Sequence, residues 1–154
     1  MKKVRLIVSA LLLVVFALSL SACFLHIKDT NGDDDFTIQT IDDDEIIQSN
    51  KNIAMGAVTT HVGNDYTVKI KRLSGVMQVA DLSLQGIGQA VIRTDMDVKS
   101  GNCRLVLVHG NNIIYDFELH GEDSYTVRTS GTYYLKLVGE SAKVTKLNFS
   151  WTLA

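Results

Sequence analysis

The side chains able to do chemistry are few and scattered. Two thiols, Cys23 and Cys103, and four imidazoles, His26, His61, His109 and His120, are spread over 154 residues. Cys103 opens the run Cys103-Arg104-Leu105-Val106-Leu107-Val108, sharing a strand face with Leu105 and Leu107. A thiol so placed acts as a small buried hydrophobe. A reactive thiolate would need a base or a cationic setting nearby, and the run offers none. His109 and His120 flank one predicted hairpin and could approach each other, but two imidazoles at a hairpin end read as solvated polar residues before they read as a metal pair. Asp95, Asp97, Asp116 and Glu118 fall on polar strand faces, where solubility alone accounts for them. No G-x-S-x-G, H-E-x-x-H, G-x-x-x-x-G-K-[ST] or C-x-x-C occurs. The chain is therefore expected not to be an enzyme and to hold no cofactor and no metal.

One segment imitates a calcium loop. Asp29-Thr30-Asn31-Gly32-Asp33-Asp34-Asp35 sets oxygen ligands at alternate positions. An EF-hand loop requires Gly at its sixth position and Glu at its twelfth. Asp34 and Thr40 stand there instead, so the segment reads as a solvated spacer.

The remaining thiol, Cys23, has the informative context. Met1-Lys2-Lys3-Val4-Arg5 carries three positive charges and no acid, and an apolar run extends from Leu6 to Leu20. A basic start, an apolar middle and a small-residue exit make a secretory signal. The run is about 15 residues, short for a helix that must cross ~30 Å of hydrocarbon. Leu20-Ser21-Ala22-Cys23 closes it and resembles the lipobox of bacterial lipoproteins. The resemblance implies that the thiol of Cys23 takes a diacylglyceryl group as a thioether, and that cleavage between Ala22 and Cys23 leaves Cys23 as the first residue. Two acyl chains anchor stably where one does not. The expected location is thus the outer face of a bacterial membrane, or the periplasmic side in a double-membrane envelope.

Charge divides the chain beyond the signal. Without Lys2, Lys3 and Arg5, 12 of the 15 Lys+Arg remain against 17 Asp+Glu, a formal charge of −5. Eight of those acids lie in residues 29–45, which hold no base. Asp-rich blocks repel themselves and stay extended, so residues 23–50 are expected to be an acidic flexible linker and residues 51–154 the folded domain. No basic helix or cluster in sequence points to nucleic acid.

From Ile53 onward the apolar period is two. Ala90, Ile92, Thr94, Met96 and Val98 alternate with Arg93, Asp95 and Asp97; Leu147, Phe149, Trp151 and Leu153 alternate with Lys146, Asn148, Ser150 and Thr152. This is half-buried strand patterning. Turn signals stand at Gly63-Asn64, Gly110-Asn111, Gly121-Glu122-Asp123, Ser130-Gly131 and Gly139-Glu140. They predict eight or nine strands: 53–61, 66–72, 75–84, 89–98, 103–109, 112–119, 124–129, 132–138 and 143–153. Many short strands at regular spacing indicate a sandwich or barrel. The expected fold is all-β, a jelly-roll-like antiparallel sandwich, with an immunoglobulin-like sandwich as the alternative.

Gly131-Thr132-Tyr133-Tyr134-Leu135-Lys136-Leu137 resembles the G-T-Y-x-L strand of exported β-sandwich modules, among them carbohydrate-binding and pre-peptidase C-terminal types. The resemblance implies a binding or accessory role. Tyr134, opposite in face to Tyr133, is the candidate sugar platform, while Trp151 alternates with core residues. The expected function is a membrane-anchored envelope lipoprotein binding an extracytoplasmic ligand such as a glycan. The alternative is an assembly subunit binding an envelope protein.

Overall fold

The computed structural model describes residues 40–84 and 89–153. The expected signal segment 1–22, Cys23, His26 and the calcium-like segment 29–35 lie outside the described residues. Among the described residues no helix is long and apolar enough to cross a membrane.

The described chain forms one short helix, α1 (Asp43–Gln48), and seven strands: β1 (Asn52–Met55), β2 (Val58–Val62), β3 (Asp65–Leu84), β4 (Ala90–His109), β5 (Asn112–Phe117), β6 (His120–Val127) and β7 (Gly131–Leu153). All pair antiparallel in a single sheet with the central order β1-β3-β7-β4-β5; β2 adds to β3 and β6 to β4. The class is all-β and sandwich-like, as the alternation implies.

Its layers arise by bending rather than by turns. β3, β4 and β7 have 20, 20 and 23 residues, against about 5–6 for an ordinary strand. Each merges two segments that the sequence sets apart. The β3–β7 register slips near Ile70 and Leu73, and the β4–β7 register slips at Val98, Ser100 and Asn102. Slips of this kind bend a strand and deepen its twist. Gly101 lets the bend close: its φ is +77°, and a Cβ there would sit 2.5 Å from the carbonyl oxygen of Ser141. Gly139-Glu140, expected as a turn, is inside β7, and Gly121-Glu122-Asp123 is inside β6, because neighbouring strands continue their ladders past both. The turns at Gly63-Asn64 and Gly110-Asn111 stand where expected.

Folding the sheet on itself brings the inner faces of both halves into one core. Val68, Ile92, Met96 and Leu147 from one half join Leu82, Leu105, Leu107 and Leu135 from the other. Cys103 is among them at 1 % exposure, with Leu105 and Leu107 as its companions.

The outer faces differ. On the half containing Val76, Val106, Val108 and Val138 a second apolar cluster forms under Ile46 of α1. Residues 40–50 are therefore part of the domain, which corrects the linker boundary at residue 50. The acids that suggest self-repulsion instead start a helix. Asp42 is the N-cap, its carboxylate accepting from the Glu45 N–H at 2.8 Å, and Asp43, Asp44 and Glu45 fill the first turn, where the helix dipole favours negative charge. Six residues do not hold a helix alone in water. Burial of Ile46 contributes about 1.5–3 kcal/mol, and two cations of the sheet hold the ends. Arg104 donates to Asp43 at 2.6 Å and grips Asp116 at 2.9 and 3.1 Å. Lys136, 4 % exposed, donates to the carbonyls of Ile46, Ile47 and Ser49 at 2.8, 2.7 and 3.0 Å.

Candidate functional site

The other outer face has no helix over it among the described residues. Here β3, β7, β4 and β6 run side by side, and register fixes which residues stand in line. Asp65, Ser150, Arg93 and Ser124 form one row across the four strands; Thr67, Asn148, Asp95 and Glu122 form the next. Residues two apart on a strand are about 7 Å apart, and strands lie about 4.8 Å apart. The two rows thus wall a trough about 7 Å wide and about 14 Å long, with a volume near 640 Å³. Its floor is the backbone of the intervening residues Tyr66, Phe149, Thr94 and Asp123, whose side chains alternate away from it.

The walls are mostly hydrogen-bonding groups. Thr67 donates to Asn148 at 2.9 Å, Arg93 donates to Thr152 at 3.2 Å, and Asp95 pairs with Lys146. Asp65 and Glu122 are exposed at the rim. With Asp95 balanced by Lys146, two carboxylates remain against the single guanidinium of Arg93. The trough is weakly acidic and repels phosphorylated or sulfated ligands. Beneath one end an aromatic ladder stiffens the floor: Tyr66 stacks on Phe149 at 4.6 Å, on His61 at 5.2 Å and on Trp151 at 5.6 Å. At the other end the Asp123 carboxylate accepts from Tyr115 at 3.1 Å and from the Glu118 N–H at 3.0 Å, tying β5 to β6. Burial and the Asp123 charge push the Tyr115 hydroxyl above its ordinary pKa.

The residues singled out in the sequence fall elsewhere. Tyr134 is half-buried and packs into the cluster under α1, on the half of β7 that carries no part of the trough. Helix α1, invisible to strand periodicity, covers that face. Trp151 is half-buried against the main core. His109 and His120 do not converge. His109 lies 3.0 Å from the Thr132 carbonyl and stacks on Tyr133 at 4.2 Å, whereas His120 pairs with Asp97 at the other half of β4. The Asp97 carboxyl is held below its usual pKa, first by the Thr145 hydroxyl and further by His120. The acids are dispersed too: Asp95 on Lys146, Asp116 on Arg104. Burial raises the Cys103 thiol to about 12. Among the described residues no cluster of three His, Cys, Asp or Glu could hold a metal ion. The trough can be sensed from the sequence only as polar alternation; its alignment depends on register between strands far apart in the chain.

No protein family, curated protein or solved structure matches the chain.

Proposed function

We propose that the protein is a bacterial lipoprotein, anchored through Cys23, whose domain is a non-enzymatic module that binds an uncharged or amine-bearing glycan in the trough. The single observation that carries the ligand assignment is the pair of aligned polar rows, Asp65-Ser150-Arg93-Ser124 and Thr67-Asn148-Asp95-Glu122. A sugar chain is a ribbon of hydroxyls that alternately donate and accept, and these rows answer it with amide, hydroxyl, guanidinium and carboxylate groups at strand spacing. Specific sites place a few such groups in a concavity of about 300–1,000 Å³, and the trough's volume falls within that range. The anchor is supported by Leu20-Ser21-Ala22-Cys23 after the basic and apolar segments. Among the described residues Cys103 and the His109 and His120 imidazoles lie outside the trough, and Asp95 within it is tied to Lys146, which favours binding over turnover.

The test is capture by the full chain of glycans released from bacterial envelopes, with a protease-treated extract in parallel. Retention of neutral or amino sugars that survives protease and falls at least about tenfold, or 1.4 kcal/mol, in Asn148→Ala/Glu122→Gln supports the site. Retention only of a protease-sensitive component overturns it in favour of an envelope protein partner.

A further inference from the structure

The corner where β1 and β2 flank β3 has a surface unlike the trough. Ile53, Met55 and Val58 are 73, 59 and 58 % exposed. Each is paired with a polar or cationic residue of β3: Ile53 with Ser74, Met55 with Arg72, Val58 with Lys69. Paired residues stand on the same face of a sheet, so the aliphatic side chains and the cations share one surface. Ile53, Met55, Arg72 and Ser74 line a common shallow depression of about 180 Å³.

The positive charge extends along the bend. Lys71 lies over Gly56, where a Cβ would come within 2.8 Å of its side chain. β7 contributes Lys143 opposite Ser100, and Lys99 precedes Ser100 in β4. Lys69, Lys71, Arg72 and Lys99 are exposed and Lys143 is half-exposed. Among the described residues none of these five is in an ion pair; Arg72 donates to Ser141 at 3.1 Å. Two acids of the bend are engaged: Glu140 accepts from Thr40 and Asn102, and Asp97 from Thr145.

We propose that this β1–β2 corner is a docking surface for an anionic lipid bilayer. A soluble polyanion would satisfy the lysines and leave Ile53, Met55 and Val58 in water. A bilayer interface takes both, with the aliphatic groups at the headgroup boundary and the ammonium groups among the phosphates. The inference deepens the anchored reading and rests on it for reach: the stretch from Cys23 to Thr40 spans at most roughly 60 Å, which allows the domain to lie on the membrane that holds its lipid. Lys69 lies two residues from Thr67 on the same face of β3, so the corner adjoins the trough's Thr67-Asn148 wall.

The experiment uses the full chain on vesicles of phosphatidylcholine, with and without a minority of phosphatidylglycerol, and reads the rate at which each lysine is acylated. Lys69, Lys71 and Lys99 should react several-fold more slowly on the anionic vesicles than on the neutral ones. The protection should vanish in high salt, and in Met55→Asp/Val58→Asp, whose fold is monitored by circular dichroism. These two positions are solvent-exposed, so the variant tolerates the charge. Equal rates on both vesicles overturn the proposal. Protection by soluble polyglutamate with none on vesicles also overturns it, and makes the corner a site for an acidic polymer. The readout sits at the lysines and does not depend on what attaches the chain. Absence of acyl mass on Cys23 therefore sinks the anchor while leaving the docking result intact.

Discussion

The ammonium of Lys136 lies 2.8 Å from the carbonyl oxygen of Ile46, ninety residues earlier in the chain. A strand in the middle of the sheet thereby closes the open end of a helix, and the helix roofs the four valines around it. A cation at a helix C-terminus is favourable both for the free carbonyls and for the dipole.

Lys136→Met keeps the apolar stem and removes the three donors, so it isolates the cap from the packing. The expected loss is about 1–3 kcal/mol, measured by denaturant unfolding. Hydrogen exchange should quicken at Ile46 to Ser49 and not in β4. An unchanged midpoint with unchanged exchange would show that water replaces the ammonium without cost.

Ile46→Ala tests the roof itself. The side chain has no exposed surface, and truncation of a buried Ile costs about 2–5 kcal/mol. Removing residues before Asn50 goes further and bares Val76, Val106, Val108 and Val138 together. That shortened chain should bind a hydrophobic dye strongly, and an intact chain should not.

At the bend, Gly101→Ala places a methyl 2.5 Å from the Ser141 carbonyl in a positive-φ conformation. Two costs add, steric and conformational. The variant should lose several kcal/mol or fail to fold, whereas Gly110→Ala, where a Cβ meets nothing within 4 Å, should lose only the conformational part, about 1 kcal/mol. Thermal melting of the pair separates the two contributions.

Cys103 should resist a thiol reagent in the native chain at neutral pH and react promptly in denaturant. Its folded pKa near 12 is raised from 9.0 by burial. The unfolded state sheds the proton first, so stability is undiminished below about pH 9 and declines as pH rises from there toward 12. A native thiol that reacts as fast as the denatured one would refute the burial.

The alternation at Ile92 to Val98 and Leu147 to Leu153 reveals which side chains face inward, and the core agrees along both runs as far as Phe149. The bends escape such reading. A strand that slips register keeps nearly the same alternation on both sides, so 66–72 and 75–84 look like two strands while forming one. The start of α1 is written in Asp42 and Glu45, an N-cap with an acid three residues on. The surrounding acids hide it, because their repulsion is the stronger signal when no sheet is known to receive them. The trough walls are visible as polar positions, but nothing local tells that Thr67 stands beside Asn148.

β7 is the last of the described strands yet central in the sheet, with β3 on one side and β4 on the other. Asp65 waits for Ser150 and Arg93 waits for the same residue. Until the final strand arrives, β3 and β4 have unpaired inner edges and neither half can close. Non-local closure of this kind slows folding, and exposed edges recruit foreign strands meanwhile. Assembly is thus nearly all-or-none with respect to β7: a chain that loses it retains no smaller folded piece.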